Sequence, residues 1–158
     1  MAVFGVRCTK DAIYVAVLEG TLKEPVIKDE ARVKIVLTAP KTAGSRAELL
    51  FNLRRDFKQL ISKYTPTFVM IKDQESSVHK TPVQASAQRG EIEGIVLEVC
   101  FENETPSDKI LYAQTKTKLK IEKKSKSDQF TKVDGQFGLS IKDENIKDAI
   151  LCAWAGLQ

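Results

Sequence analysis

The chain has 158 residues, of which 42% are hydrophobic and 29% charged, and its formal net charge is +4. This length suits one domain with its own core, and the apolar content is too high for a disordered chain. No apolar run reaches the roughly 18 residues that a membrane-spanning helix needs, and the N-terminus lacks the basic start and long apolar stretch of a signal peptide. We therefore expect one soluble, cytoplasmic globular domain over residues 1–158, with no membrane partner.

Three cysteines and one histidine are present, and neither residue type predicts a reactive or metal-binding site. Cys8, Cys100 and Cys152 are widely spaced among apolar neighbours and form no C-x-x-C pair, so we expect buried, unreactive thiols. His79 stands in a polar stretch without a cluster of cysteines or carboxylates beside it. Glycine-rich phosphate loops and a G-x-S-x-G elbow are absent from the sequence. We predict no cofactor and no bound metal.

In chain order, the predicted elements begin with three strands. The apolar run from Val3 to Arg7 suits a central strand, and Ala12 to Leu18 follows after a compact polar turn. Arg32 to Leu37 alternates polar and apolar residues, which predicts a strand with one buried face. The connections are short, so these three strands predict an antiparallel meander.

The pattern then changes to helical spacing. Ser45 and Glu48 have the spacing of a capping box. Apolar residues follow at intervals of three and four, which predicts an amphipathic helix ending before Pro66: Leu49, Leu50, Leu53, Phe57, Leu60, Ile61 and Tyr64. The continuous apolar run from Thr67 to Ile71 predicts a fourth, buried strand.

Another helix, another strand and a final helix complete the predicted order. Thr81-Pro82 predicts a capped helix start, and that helix is expected to end near Phe101. We interpret its small residues near the start as allowing close approach to the sheet. Lys109 to Ala113 predicts the fifth strand, and the apolar spacing from Ile146 to Trp154 predicts a C-terminal helix.

Positive charge is concentrated between Gln114 and Lys132, which we call the Lys-rich segment. Its seven lysines face only Glu122 and Asp128, a local charge of +5, so the rest of the chain sums to −1. The candidates for nucleic-acid binding in this segment are Lys116, Lys118, Lys120, Lys123, Lys124 and Lys126. Such lysines neutralise phosphates but lack the arginine forks and aromatic surfaces that recognise bases. The structural alternative is a solvated loop.

The predicted fold is α/β, with a mixed five-stranded sheet, three antiparallel strands first, and helices on both faces. Four short motifs accompany this order: Phe4-Gly5-Val6-Arg7, Val69-Met70-Ile71-Lys72, Gln88-Arg89-Gly90, and the helix from Asn145 to Ala153. They resemble, in turn, the Gly-Ile-Asp start, the Ala-Ile-Glu strand end, the arginine-glycine helix and the Asp-x-x-Asp-Ala-Leu-Ala motif of RuvC-type Holliday-junction resolvases. The chain thus resembles the ribonuclease H-like superfamily.

The resemblance implies a nuclease site in which four carboxylates hold two divalent metal ions. The corresponding positions in this sequence are Arg7, Lys72, Asn145 and Asp148, of which only Asp148 is acidic. Two of the expected carboxylates are cations, which repel a metal ion. The resemblance therefore implies a degenerate site in a resolvase-like pseudoenzyme, with no catalytic residue assigned.

The cations at these positions have two interpretations. We expect Arg7 and Lys72 at adjacent strand ends, with Asp148 within reach of Arg7. The structural interpretation is a paired cluster without a ligand, because pairing lowers the cost of burying each charge. The functional interpretation is an anion site for phosphate or carboxylate, since arginine binds both in bidentate fashion.

Three hypotheses for the whole protein remain open. The first is a catalytically inactive resolvase-like domain that binds DNA or RNA through the Lys-rich segment. The alternative is a structural or protein-interaction module, a homodimer, with no nucleic-acid role. The third is an active enzyme that uses Lys72 or a cysteine as nucleophile, although the sequence offers no acid–base pair to assist it.

Overall fold

A computed structural model describes residues 1–28, 35–38, 44–75, 82–122, 125–138 and 140–158. Its strands are β1 (Val3–Cys8), β2 (Ala12–Gly20), β3 (Pro25–Ile27), β4 (Ile35–Thr38), β5 (Phe68–Lys72) and β6 (Ser107–Ile110). Its helices are α1 (Arg46–Tyr64), α2 (Val83–Glu102), α3 (Tyr112–Lys118), α4 (Lys126–Phe137) and α5 (Glu144–Gly156). Over these ranges no helix has the length and apolar character that a bilayer crossing requires.

The strands form one mixed sheet in the order β3-β2-β1-β5-β6. β2 pairs antiparallel with β1, β3 and β4, whereas β1 pairs parallel with β5 and β5 with β6. β3 pairs with the end of β2 and β4 with its beginning, so both occupy the same flank and the sheet is five positions wide. The predicted mixed sheet with antiparallel strands first is confirmed.

Helices cover both faces of the sheet, as predicted. Phe4, Val6 and Cys8 point from β1 into the core formed with α1 and α2. Val3, on the alternate face of β1, belongs to the second core, which α4 and α5 supply. β1 is therefore buried on both faces, which explains its continuous apolar sequence.

Close packing of α5 on β1 requires glycine at residue 5. A Cβ atom there would lie 1.8 Å from the Ala149 carbonyl oxygen and 2.3 Å from the Ala153 nitrogen. The helix backbone therefore rests directly on the strand backbone. This contact places the residues before Ala149 over the end of β1.

The fifth predicted strand is wrong in its extent. The fifth strand ends at Ile110 instead of Ala113, and α3 begins at Tyr112. The Gln114 side chain accepts a hydrogen bond from the Leu111 nitrogen at 2.8 Å, which stabilises a helical turn where the apolar run had predicted a strand.

The Lys-rich segment is not a continuous loop, because it contains α3 and most of α4. Ser125 caps α4 by accepting from the Asp128 nitrogen at 3.1 Å, and Phe130 and Val133 are buried against the second core. These apolar residues at helical spacing stabilise a helix despite the surrounding lysines. Lys123 and Lys124 lie outside the described residues.

The third predicted strand and the second predicted helix differ from the structure in part. The strand expected over Arg32–Leu37 is confirmed from Ile35 as β4, which ends at Thr38, and Arg32, Val33 and Lys34 lie outside the described residues. The short β3 before it was not predicted. α2 begins at Val83, with Pro82 at its N-cap and no side-chain cap, and the predicted cap Thr81 lies outside the described residues. Ala87 and Gly90 are exposed instead of approaching the sheet.

The three cysteines are free and buried, which confirms the prediction of structural thiols. Burial raises the pKa of Cys8 to about 12, aided by the charge of Glu93 and opposed by nearby cations. Burial also raises the pKa of Cys100 to about 11, against a hydrogen bond with Ser107. The thiolate is the reactive form, so these residues are poor nucleophiles.

Candidate functional site

Arg7 and Lys72 lie side by side at one end of the sheet. β1 and β5 are parallel, and the last aligned pair is Val6 with Ile71, so the next residue along each strand is Arg7 or Lys72. Both side chains alternate with residues that face α1 and α2, and both therefore point toward α5. We call Arg7, Lys72, Asp148 and the residues that bond to them the sheet-end cluster.

Asp148 on α5 lies over Arg7. The Arg7 Nε and the Asp148 Oδ2 are 3.5 Å apart, and the Tyr112 hydroxyl donates a short hydrogen bond to Asp148 Oδ1. The Asp148 residue is only 2% exposed. Burial raises the pKa of Asp148, whereas the Tyr112 hydrogen bond and the charge of Arg7 oppose that shift. Both carboxylate oxygens thus have partners from the chain itself.

Lys72 is fully buried but paired. Its exposed fraction is 1%, and its Nζ donates to Glu75 Oε1 at 2.5 Å and to the Asp73 carbonyl at 2.8 Å. The same Nζ lies 4.0 Å from the centre of the Tyr112 ring. Glu75 Oε1 also accepts from the Tyr112 nitrogen at 2.6 Å. These contacts compensate the cost of burying the ammonium group.

Asn145 reaches the cluster indirectly. It lies in the first turn of α5, and its side chain hydrogen-bonds with the hydroxyl of Tyr14, the residue opposite Arg7 in the β1–β2 pair. Burial raises the pKa of Tyr14, as do two nearby carboxylates, whereas the Asn145 hydrogen bond lowers it. The four predicted positions therefore lie at the same end of the fold, with Asn145 at its margin.

A second ion-pair network supports the strand end from the opposite face. Arg89 on α2 donates to the Lys72 carbonyl at 2.8 Å and to Glu93 Oε1 at 2.7 Å. Lys109 on β6 donates to Glu93 Oε2 at 2.6 Å. The network links α2, β5 and β6. This role of Glu93 was not predicted, although its position four residues after Arg89 suits a pair on one helix face.

A cavity of about 390 Å³ opens beside the sheet-end cluster. Five cationic residues and one acidic residue are among those that line it: Arg7, Lys10, Lys72, Arg89, Lys126 and Glu75. Thr9, Ser86 and Tyr112 add hydroxyl groups. The lining therefore carries more cations than acids, and each of the five cations lies between 2.5 and 3.7 Å from a carboxylate oxygen of the chain.

Lys126 joins the two positive regions found in the sequence. It begins α4 within the Lys-rich segment and also lines the cavity with Arg7 and Lys72. Its Nζ lies 2.5 Å from Glu144 Oε2. On α3, Lys116 is half-buried, and Lys118 is exposed and donates to the Ala155 carbonyl at 3.3 Å. Lys120, two residues after the end of α3, is exposed.

The residues at the sheet end do not fit the two divalent ions that the resemblance implies. Asp148 is the single carboxylate among the four corresponding positions, and Arg7 and Tyr112 already contact its two oxygens. Within the described ranges, no group of three or more His, Cys, Asp or Glu side chains is placed to hold a metal ion. Hard cations need several oxygen ligands, which this donor set does not supply.

Comparison with known proteins gives no match in sequence but clear matches in structure. No protein-family model matches the chain, and neither does any curated protein. The chain resembles a Thermus thermophilus RuvC structure with a TM-score of 0.79 and 18% identity, covering 98% of this chain and 92% of the other. It resembles T. thermophilus RuvC in complex with Holliday junction substrate with a TM-score of 0.78 and 16% identity, covering 98% and 91%.

A third solved structure extends the likeness beyond bacteria. The yeast mitochondrial Holliday junction resolvase Ydc2 matches with a TM-score of 0.61 and 13% identity, covering 97% of this chain and 77% of the other. Similarity at these identities is a similarity of fold. The chain therefore has the ribonuclease H-like fold of the RuvC-type Holliday junction resolvases.

Proposed function

We propose that this chain is a resolvase-like domain that binds the phosphate backbone of DNA or RNA without cleaving it. The observation that carries the proposal is Lys126, which belongs to the Lys-rich segment and also lines the cavity. Cationic side chains attract polyanions independently of their sequence.

The structural neighbours support a nucleic-acid partner. One of the matching structures is a RuvC solved with a Holliday junction substrate, and it covers nearly the whole chain. The exposed lysines Lys118, Lys120 and Lys126 lie on elements that cover the α5 side of the sheet. Lysines without arginine forks favour backbone contacts over base recognition.

The composition of the sheet-end cluster supports the absence of cleavage. Arg7 and Lys72 occupy two positions where the resemblance implies metal-binding carboxylates, and the remaining acid, Asp148, is bonded to Tyr112. A pair of metal ions has neither enough ligands nor a favourable field at this place. The three free thiols suit a reducing compartment, which is consistent with the proposed cytoplasmic location.

Binding is tested with labelled duplex, branched and single-stranded oligonucleotides over a range of salt concentrations. We expect affinity to fall linearly on a log–log salt plot, with a slope near −0.9 per neutralised duplex phosphate. The variant Lys118→Gln/Lys120→Gln should weaken binding and reduce the slope by about two contacts. Lys58→Gln/Lys63→Gln removes the same charge from α1, on the other side of the sheet, and should leave binding unchanged. Absence of binding at low salt contradicts the proposal.

Cleavage is tested with the same oligonucleotides in magnesium and in manganese. We expect the substrates to remain intact. Metal-dependent cleavage that disappears in Asp148→Asn would show that the site retains family chemistry and would overturn the second half of the proposal.

A separate observation favours the protein-interaction alternative as a second candidate function. α2 carries an apolar face that no other described element covers. Its positions are spaced by four and three residues in alternation and are all exposed: Val83, Ala87, Gly90, Gly94, Leu97 and Phe101. Val83 is 85% and Phe101 87% exposed. This spacing is the seam of a helix that packs against another helix.

The seam is self-complementary. Its spacing reads the same in both directions about residue 92, so an antiparallel second copy aligns Gly90 with Gly94 of the second copy. The same symmetry aligns Val83 with Phe101 of the second copy. A Cβ atom at either glycine would meet nothing within 4 Å in the chain, so these positions leave room for a close crossing of the two helices.

Charges beside the seam do not oppose such a dimer. Glu91 and Glu98 flank it, and each is paired within the chain, Glu91 with Arg46 at 2.7 Å and Glu98 with Arg54 at 2.8 Å. Phe51, which lies between those two arginines on α1, is an exposed apolar residue at 64%.

Sedimentation equilibrium tests the second candidate. We expect a concentration-dependent dimer that Gly94→Glu and Phe101→Asp abolish, because each places a charge in the seam. Val26→Asp, which changes an exposed apolar residue on β3, should leave the dimer intact. A monomer at high concentration in the native chain contradicts this candidate and leaves nucleic-acid binding unaffected.

A further inference from the structure

We propose that the cavity at the end of the sheet is a binding site for a terminal phosphoryl group, and that the Arg7 guanidinium is the main group that binds it. The inference does not depend on binding of a nucleic-acid backbone by the Lys-rich segment, because a small phosphate compound needs no contact with the exposed Lys118 and Lys120.

Arg7 is paired less closely than Lys72, Arg89 and Lys126. Lys10 is also loosely paired, 3.7 Å from Asp11, but its side chain is exposed, whereas that of Arg7 is mostly buried. The side-chain nitrogens of Lys72, Arg89 and Lys126 each lie 2.5–2.7 Å from a glutamate oxygen. The Arg7 Nε lies 3.5 Å from Asp148 and is buried without a hydrogen-bond partner. A buried donor without a partner is costly, so this guanidinium is the group that gains most from an added acceptor.

Asp148 is a poor substitute for that acceptor. Its Oδ1 is already engaged by the Tyr112 hydroxyl, and the carboxylate is held by α5 above the strand. The Arg7 side chain remains 23% exposed on the cavity side of the pair. The contact with Asp148 therefore orients the guanidinium without using its terminal donors in a bidentate pair.

The size and lining of the cavity fit a phosphomonoester. Its volume of about 390 Å³ is within the range of small-ligand sites, roughly 300–1,000 Å³. A phosphomonoester presents three terminal oxygens and a charge near −2, which match a guanidinium fork and a lining with more cations than acids. A simple carboxylate offers two oxygens and one charge, and so balances less of the lining.

Two sources carry the same chemistry, the phosphorylated end of a nucleic acid and a free mononucleotide. Inorganic phosphate, adenosine monophosphate and matched oligonucleotides with a 5′-phosphate or a 5′-hydroxyl are therefore the probes. Preference for the phosphorylated oligonucleotide over adenosine monophosphate supports a nucleic-acid end, and equal or weaker binding of the oligonucleotide supports a free nucleotide.

The site itself is tested by calorimetry and by the Nε–H NMR signal of Arg7. We expect inorganic phosphate and adenosine monophosphate to shift that signal, and Arg7→Gln to weaken their binding at least tenfold. Arg7→Lys keeps the charge but loses the fork, so it should give an intermediate loss. Arg55→Gln, an exposed change on α1, and Lys118→Gln/Lys120→Gln should both retain phosphate binding.

Thermal melting checks that each variant is folded, and the signal in the unmutated protein does not depend on any variant. An Arg7 signal that ignores phosphate overturns the proposal. So does acetate binding as tightly as phosphate, or Arg7→Gln binding phosphate as the native chain does. Loss of oligonucleotide binding with retained phosphate binding would reject only the proposed backbone interaction.

Discussion

The two cationic regions of the molecule differ in burial and therefore in what their charge does. In the sheet-end cluster, Lys72 is buried and closely paired, and Arg7 is held beside Asp148. In the Lys-rich segment, Lys118 and Lys120 are exposed. Buried charges act at short range and are little affected by salt, whereas exposed charges act through a field that salt screens. Charge in the sheet-end cluster is thus largely compensated by partners within the chain, whereas charge on Lys118 and Lys120 faces solvent.

The largest expected effect on stability comes from placing an acid in the sheet-end cluster. Lys72→Glu would bury a carboxylate next to Glu75 and Asp148 and remove the cation that both now face. We expect the free energy of unfolding to fall by about 3–5 kcal/mol, the usual cost of an uncompensated buried charge. Urea denaturation measures this loss. Lys72→Met keeps the volume without the repulsion and should cost less, and an equal loss in both variants would show that repulsion is not the cause.

A smaller loss is expected from the network behind the strand end. Arg89→Leu removes the donor to the Lys72 carbonyl and one partner of Glu93, which still keeps Lys109. We expect a decrease of about 2–3 kcal/mol in unfolding free energy. Arg54→Leu, which removes an exposed pair with Glu98, is the matched control and should change stability little. Similar losses in both variants would show that buried and exposed ion pairs contribute equally to stability, which contradicts the comparison.

A pH-dependent effect follows from the raised pKa of Asp148. A carboxyl group whose pKa is higher in the folded than in the unfolded state binds its proton more tightly when folded. Its contribution to stability is then greatest below the unfolded pKa and is lost as pH rises toward the folded pKa. We expect native stability relative to Asp148→Asn to fall as pH rises above about 4, the ordinary pKa of an aspartate, as measured by urea denaturation at several pH values. A difference that grows with pH would contradict this.

The smallest effect on stability is expected from substitutions in the Lys-rich segment. Lys118→Gln/Lys120→Gln should change the unfolding free energy by less than about 0.5 kcal/mol, since both side chains are exposed. Their effect is expected in nucleic-acid affinity instead. A stability loss comparable to that of Arg89→Leu would place these lysines among the structural charges.

Local signals were sufficient to predict the well-formed helices and the inner strands. Ser45 caps α1 as its spacing predicts, accepting from the Glu48 nitrogen at 3.1 Å, although Glu48 reaches back to Gly44 instead of Ser45. The apolar spacing that predicted a helix from Ile146 to Trp154 corresponds to α5. These elements follow from periodicity because their buried faces are continuous.

Elements that depend on distant contacts were not predictable in the same way. Tyr112 lies within the run Lys109–Ala113 that suits a strand, yet it begins α3, where its ring covers Lys72 and its hydroxyl reaches Asp148. The partners of that ring lie 40 and 36 residues away in the chain. Charge in the Lys-rich segment likewise obscured Phe130 and Val133, whose burial stabilises α4. Apart from the Arg7–Asp148 pair, which was expected from the resemblance, sequence patterns identified which groups carry charge but not which of them neutralise one another.

The backbone contact at Gly5 gives a way to alter the spacing of the cluster without touching any charge. A methyl group at this position would force α5 away from β1, because the nearest atoms are helix backbone that has no rotamer to change. Asp148 precedes the contacted residue and would move with the helix, lengthening its separation from Arg7. Residue 5 thus has no side chain to separate α5 from β1. Gly5→Ala would test how the interaction between Arg7 and Asp148 depends on the distance between them.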